Sequence, residues 1–467
     1  MLFNSLQFAV FFVAVLALLR SVPWAARVHV LLGASLLFYG LWLPSYLLLL
    51  LGTLGANYLL MRGMDRSQRR RGYLIASIGL TLGLLAVFKY AALIVETALP
   101  LLRHARLPTP RVPELLLPLG ISFYSFEIIS LSVDIYRRRQ PCPSFARYAL
   151  FVTFFPHLIA GPIMRGYELL PQLAQGGAHS PERTRRGAWL IACGVVKKTI
   201  LADYLLAPFV NDVFSEPGAA SAPLHLLAVY SFAFQIYCDF SGYTDMARGL
   251  ACMLGFELPH NFLEPYLSRS ASEFWQRWHI SLSRWLRDYL YIPLGGNRSG
   301  RLRTALNLLL TMLLGGLWHG AGWTFVVWGG LHGLLLMLER LLGVDRVDGA
   351  APLRLRDWPR IVCLFHLVCG IWVAFRAPTL SAAVTIWKTL LTGSYRVSWP
   401  VLPCVVVVAC AGLHAAERAV HGRLPRWQNR VAQALWGPAL EGAALGVVLM
   451  AAVVVSGAGA EFIYFQF

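Results

Sequence analysis

Long apolar runs, separated by short polar or basic segments, fill most of the chain. The first, Leu2 to Leu19, is followed rather than preceded by its basic flank, Arg20 and Arg27. A secretory leader has the opposite order and a small-residue cleavage site. The run is therefore expected to be a retained first membrane helix with its N-terminus outside the cytoplasm. Val28–Leu43 and Ser45–Met61 follow, with Pro44 at the turn. The next segment, Arg62 to Arg71, carries five arginines against one aspartate. Three crossings from an outside start place it in the cytoplasm, in agreement with its charge. Further candidate spans are Tyr73–Leu99, Leu115–Tyr136, Ala188–Val210, Pro223–Cys238, Tyr243–Phe256, Ala305–Trp318, Trp323–Leu338, Ile361–Phe375, Val401–His414 and Ala439–Val455. A full crossing takes about 20 residues. Several runs are shorter and are expected as half-spans or re-entrant segments, which persist only where protein or a watery cavity surrounds them.

Composition strengthens this picture. The chain is 57% hydrophobic and 14% charged, against about 45–50% and about 25% for ordinary soluble domains. A disordered chain, a collagen-like chain and a soluble enzyme of this size are excluded. The net charge of +18 comes from 41 basic and 23 acidic residues, and only four of the basic ones are lysines. The arginines cluster between apolar runs, which points to cytoplasmic loops rather than to nucleic-acid binding. Two stretches resist simple counting: Arg103, Arg106 and Arg111, and Arg183, Arg185 and Arg186. The eight cysteines show no CxxC spacing and lie mostly in apolar runs, so neither a disulfide framework nor a metal site is expected. No internal repeat or flexible linker divides the chain. The expected architecture is one all-α polytopic membrane domain over residues 1–467. It comprises N-terminal helices (1–113), a catalytic core (114–338) and C-terminal helices (339–467).

Ionisable residues inside a membrane are costly and mark function or a paired structural site. They are densest between Phe234 and His319. Asp239 and Asp245 fall between two apolar runs, as a polar hairpin turn capping the second helix or as part of a site. Phe274, Trp278, Leu282, Trp285 and Tyr289 recur at spacings of three or four, which predicts one helix face. Arg277, Arg284, Arg287 and Asp288 take the other side of that helix, and His279 lies beside the apolar stripe. Such a helix lies in the membrane interface or dips under a cavity. The stretch Leu314-Gly-Gly-Leu-Trp-His-Gly-Ala-Gly-Trp323 has apolar runs on both sides. Its glycines predict a helix break around His319. Both arms of the resulting hairpin start at the basic face. The 16 residues from Arg303 to His319 carry the histidine about 24 Å inward. Glycines by themselves serve close helix packing, but a histidine at the tip must have its desolvation offset, so His319 is the foremost functional candidate. His332, in the second arm, is a weaker one. Lys89, Glu127, Asp134, His157 and Lys197 are expected to be buried in pairs. There is no GxxxxGK[ST] phosphate loop and no HExxH zinc site. There is also no GxSxG elbow, and no histidine is followed five residues later by aspartate.

Six ordered stretches carry a family resemblance. They are LPLGISFYSFEIISLSVDIYR (117–137), FFPHLIAGPIMR (154–165), QIYCDFSGYTDMARGLACMLGF (235–256), FWQRWHISLSRWLRDYLYIPLGGNR (274–298), LLGGLWHGAGWTFVVWGGLHG (313–333) and FIYFQF (462–467). With them the chain resembles the membrane-bound O-acyltransferases (MBOAT), in the bacterial alginate O-acetylation (AlgI-like) group. The resemblance is weakest across 340–460. It implies an all-helical fold of roughly 11–13 membrane helices, re-entrant segments included, around a central histidine. It also implies an O-acetyltransferase whose catalytic residues are His319 and His279. In relatives outside the bacterial group the second position is commonly asparagine. The acyl donor implied is a cytoplasmic thioester, acetyl-CoA, with no tightly bound cofactor. The implied partner is an extracytoplasmic protein of the SGNH-hydrolase-like kind. It would complete acetylation of an exported polysaccharide such as alginate, at the bacterial cytoplasmic (inner) membrane. His260 and Cys238 depart from the group's pattern. His319 is the expected base on the acceptor hydroxyl, with His279 orienting it or stabilising charge. Rival readings are D-alanyl transfer to teichoic acid, acyl transfer to peptidoglycan, and a transporter of an acyl or saccharide intermediate. The missing repeat argues against the last.

Overall fold

The computed structural model describes residues 3, 5–106, 108, 115–298, 300–344, 353–395, 399–420 and a few positions between 442 and 450. Arg111, most of the Ala439–Val455 run and the terminal FIYFQF lie outside them. All regular elements among the described residues are helices. Among the described residues, five helical stretches are long and apolar enough to cross a membrane: Pro44–Arg66, Arg70–His104, Trp323–Leu342, Leu355–Arg376 and Val401–Arg418. The chain forms two compact units, residues 1–191 with 246–259 and residues 192–245 with 260–467.

The first unit holds α1 (Leu6–Ser21), α2 (Trp24–Gly40), α3 (Pro44–Arg66), α4 (Arg70–Leu85), α5 (Ala91–His104), α6 (Ile121–Tyr136), α7 (Phe145–Thr153), α8 (Gly166–Ala174) and most of α9 (Pro181–Val195). Its helices carry apolar residues on their outer faces as well as in the interior. On α3, Leu48 and Leu59 are exposed, whereas Thr53 and Asn57 are buried. Lipid tails are as apolar as leucine, so interior packing and hydrogen bonds must hold such helices together. Asn57 Oδ1 accepts from the Ser77 hydroxyl (2.6 Å), which also meets the Ser132 hydroxyl (2.9 Å). That chain ties α3, α4 and α6. The other expected buried residues of this unit have partners. Glu127 meets His157 Nδ1 at 3.1 Å and accepts the Met164 N–H at 3.2 Å. Lys89 donates to the Ser122 hydroxyl at 3.1 Å, and Asp134 meets Arg139 at 3.4 Å.

The second unit begins with a π-helical stretch, Val196–Leu206, and continues with α10 (Ala207–Ser215) and the 32-residue α11 (Ala222–Met253), whose last residues belong to the first unit. The helix α11 runs unbroken through Asp239 and Asp245, so the polar hairpin turn expected there does not exist. The two aspartates instead pair with consecutive lysines. Lys197 Nζ lies 3.2 Å from Asp245 and 2.6 Å from Glu417. Lys198 pairs with Asp203 (2.9 Å) and with Asp239. Between them, a Cβ on Gly242 would stand 2.7 Å from the Gly194 carbonyl oxygen. Glycine thus lets the two rods touch, and the lysines bridge on either side of the contact.

Two short helices follow, α12 (Ala271–Arg277) and α13 (Ile280–Leu286). The long pair α14 (Gly300–His319) and α15 (Trp323–Leu342) forms the predicted hairpin. Then come α16 (Trp358–Arg376), α17 (Leu380–Thr392) and α18 (Val401–Val420). The hairpin arms cross at Gly316 and Gly329. A Cβ on the first would stand 2.3 Å from the Phe325 carbonyl oxygen, and one on the second 2.3 Å from that of Met312. Backbone cannot yield as a side chain can, so Gly329→Leu is expected to prevent hairpin closure. Loss of detergent-extractable, monodisperse protein checks this, with Gly370→Leu as control, because a Cβ at Gly370 meets nothing within 4 Å.

Candidate active site

The short helices α12 and α13 were expected as one. Their apolar spacing suits a continuous helix, but the backbone breaks at Trp278 and His279. His279 adopts the left-handed conformation, φ 43° and ψ 55°. In a continuous helix the amide of Ile280 would donate four residues back. It donates instead to the Asn261 carbonyl (3.0 Å), and the Ser281 amide donates to Asn261 Oδ1 (3.0 Å). Asn261 thereby caps α13 from a distant loop. The same loop donates the Leu263 amide to the Arg277 carbonyl (3.0 Å). At the other end, the first amides of α12 are met by carboxylate. Glu339 Oε1 and Oε2 accept from Ala271 (2.6 Å) and Ser272 (3.2 Å). Arg277, expected on the side of the helix away from the apolar stripe, is buried and pairs with Glu273 (2.9 Å), which also clasps Arg269 (3.0 Å).

This scaffold brings the two predicted histidines together. His319 ends α14 at the hairpin tip and is 4% exposed; His279 is 0% exposed. Their ring centroids are 6.2 Å apart. That spacing is compatible with one oxygen hydrogen-bonded to both rings. Neither ring nitrogen of His279 has a hydrogen-bond partner among the described residues. Buried polar groups are normally satisfied, so such a ring is poised for a ligand. Its orientation is fixed by apolar contact, edge-on to Phe240 at 4.6 Å. His319 is enclosed by Trp318 (5.0 Å), Trp328 (4.9 Å) and Phe375 (5.6 Å).

A cavity of about 450 Å³ adjoins these elements. Arg284, Arg287 and Arg340 line it together with Trp275, Thr304 and Leu336. The cavity thus has apolar walls and guanidinium groups, a combination suited to a molecule with an apolar arm and an anionic head. Asp239 and Asp245 take no part in the histidine cluster; their partners are the lysines. The residues that sequence reasoning missed are Asn261, Phe240, Trp328 and Phe375. Only Asn261, beside apolar neighbours in Leu258-Pro-His-Asn-Phe262, offered any signal, and a lone polar residue there does not name its target. Among the described residues no group of His, Cys, Asp and Glu could hold a metal ion.

Comparison with known proteins identifies the family. The pattern of MBOAT, the membrane-bound O-acyltransferase family, matches residues 109–373. The chain is 41% identical over 400 residues to the "Probable alginate O-acetylase AlgI" of Azotobacter vinelandii, covering 84% of this chain and 78% of that one. It is 41% identical over 376 residues to the protein of the same name in Pseudomonas aeruginosa, covering 79% and 70%. It is also 36% identical over 389 residues to the peptidoglycan O-acetyltransferase of Helicobacter pylori, covering 77% and 72%. Helices long enough to cross a bilayer and this extent of similarity lead to one conclusion: the chain is a multi-pass acyltransferase belonging to the membrane-bound O-acyltransferase family.

Proposed function

We propose that the protein takes an acetyl group from a cytoplasmic thioester, acetyl-CoA, and passes it across the bacterial inner membrane for O-acetylation of an exported polysaccharide such as alginate. An extracytoplasmic SGNH-hydrolase-like partner completes the transfer. The observation that carries this reading is the pair of buried histidines, 6.2 Å apart, on elements that also wall an arginine-lined cavity. The names of the relatives supply acetyl as the group and a polymer as the acceptor.

In the proposed reaction, His319 takes the proton of an acceptor hydroxyl as its oxygen attacks the thioester carbonyl. His279 donates a hydrogen bond to the carbonyl oxygen as negative charge gathers there. The carbon–sulfur bond breaks, and the imidazolium of His319 returns its proton to the departing thiolate. The thioester is itself activated, so no further energy source is needed. Arg284, Arg287 and Arg340 would hold the phosphates of the donor at the cavity.

The test uses purified protein in liposomes, acetyl-CoA labelled in the acetyl group outside, and alginate with the partner inside. Label on alginate hydroxyls is the expected result. Label on peptidoglycan fragments instead would move the acceptor. Uptake of intact label without ester formation would overturn the enzyme reading in favour of a carrier. A D-alanyl donor used in preference to acetyl would overturn the group assigned.

A further inference from the structure

The first amides of a helix have no carbonyl of their own helix to meet, and the N-cap residue ordinarily offers a side-chain oxygen to one of them. His279 holds the N-cap place on α13 and makes no such bond. The oxygen comes from a different part of the chain. Asn261 Oδ1 accepts the Ser281 N–H at 3.0 Å, across 20 positions of sequence. Ser281 is the second residue of α13, so this is the bond that a capping serine or aspartate would have made from the N-cap itself. The Asn261 carbonyl takes the amide just before it, that of Ile280, at 3.0 Å.

The neighbours of Asn261 grip the same corner. The Leu263 N–H donates to the Arg277 carbonyl at 3.0 Å, and Arg277 Nη1 donates back to the Leu263 carbonyl at 3.1 Å. Phe262 stands edge-on to Trp278 at 5.0 Å and to Phe240 at 5.1 Å. Phe240 is in turn the ring against which His279 stands, at 4.6 Å. Residues 261–263 thus hold the chain on both sides of His279 and hold its ring through Phe240. A left-handed corner at an ordinary side chain persists only where its surroundings over-determine it, and this loop does so. Within it, Asn261 alone contributes a polar side chain, and it is 1% exposed.

Delegating the cap has a chemical consequence. An imidazole that capped α13 would have one nitrogen committed to a backbone amide and its ring turned along its own helix. With the cap supplied by Asn261, both nitrogens of His279 are without a hydrogen-bond partner among the described residues. Its ring centroid lies 6.2 Å from that of His319.

We propose that Asn261 is a positioning residue of the acyl-transfer site. It caps α13 in place of His279 and so keeps the imidazole turned to the reacting carbonyl. This inference rests on the acyl-transfer reading, with His279 as the donor there, and adds a residue that acts only through that histidine.

The test is a double-mutant cycle over wild type, Asn261→Ala, His279→Gly and the double variant. Single-turnover transfer of labelled acetyl is measured in proteoliposomes, from acetyl-CoA or from an acetylated carrier protein, whichever wild type uses. Asn261→Ala should lower the rate about 10–100-fold, the cost of a slightly misplaced reacting group. The KM for the donor should hold within about threefold, because binding is untouched. In the His279→Gly background no ring is left to position, so the same substitution should cost less than about twofold. Asn261→Asp keeps an acceptor oxygen at the same reach and should be at least about fivefold faster than Asn261→Ala. An equal loss in both backgrounds, accompanied by a lowered unfolding midpoint, would make the role merely structural and overturn the inference. A wild-type rate in folded Asn261→Ala overturns it as well. Asn261→Ser, whose hydroxyl oxygen has a shorter reach, replaces alanine in the cycle if that variant does not accumulate as monodisperse protein. Absence of transfer by wild type from either thioester would instead overturn the acyl-transfer reading, and the inference with it.

Discussion

Replacing His319 with alanine should lower acetyl transfer by about 10²–10⁴-fold, the usual worth of a positioned proton-transfer group. Membrane insertion and yield should stay unchanged. Two features isolate this effect from folding. His319 occupies the last turn of α14, where alanine is a good helix former. The close approach of the hairpin arms is made by Gly316 and Gly329 rather than by the imidazole. His319→Gln, which keeps hydrogen-bonding groups but cannot carry a proton at neutral pH, should fail nearly as badly as alanine. The measurement is single-turnover transfer of labelled acetyl in proteoliposomes, with yield followed by quantitative immunoblot. Wild-type turnover in either variant would remove His319 from the role of base.

The second large effect is expected at His279, and the substituted residue should matter more there. Alanine removes a donor at the reacting carbonyl, a loss of about 10²–10³-fold. It also places a side chain with no local hydrogen bond at φ 43°, a conformation that costs an ordinary residue about 1–3 kcal/mol. Asparagine is tolerant of the left-handed region, and its amide still donates. His279→Asn should therefore fold as wild type and retain more activity than His279→Ala by at least about tenfold. If backbone geometry is what selects the residue, His279→Gly should also fold well, since glycine takes positive φ freely, yet transfer as poorly as alanine. Rates and unfolding midpoints of the three variants check this. Equal activity of asparagine and alanine would show that the position acts through neither the donor nor the backbone.

The two expectations differ in kind because the two histidines sit on different supports. His319 is held by a long hairpin whose sequence announces itself through apolar arms, basic ends and glycines at the tip. The apolar runs and glycines of residues 305–338 were enough to predict the hairpin with His319 at its tip. The buried pairing of Lys197, Glu127 and Asp134 was legible for a similar reason: a charge in an apolar run must be neutralised somewhere. What periodicity could not convey was the partner, because partners lie far along the chain. Lys197 finds Asp245 and Glu417, 48 and 220 positions away.

The same limit explains both misreadings. A 3.6-residue repeat from Phe274 to Tyr289 is real, yet the helix breaks inside it. Asn261 takes the amides of Ile280 and Ser281 that a continuous helix would have used. A polar hairpin was expected at Asp239 and Asp245, yet α11 continues. Lys198, buried, and Lys197, half-buried, neutralise the two aspartates within the helix, leaving no need for a turn to bring them to water. By itself, the sequence determined the membrane class and the hairpin with a histidine at its tip, because hydropathy and glycine placement act locally along the chain. Only the tertiary structure decided that His279 turns into a left-handed corner, brings its ring centroid 6.2 Å from that of His319 and leaves its ring nitrogens without a hydrogen-bond partner among the described residues. Those features depend on hydrogen bonds and ring contacts between residues remote in sequence, and no local period encodes them.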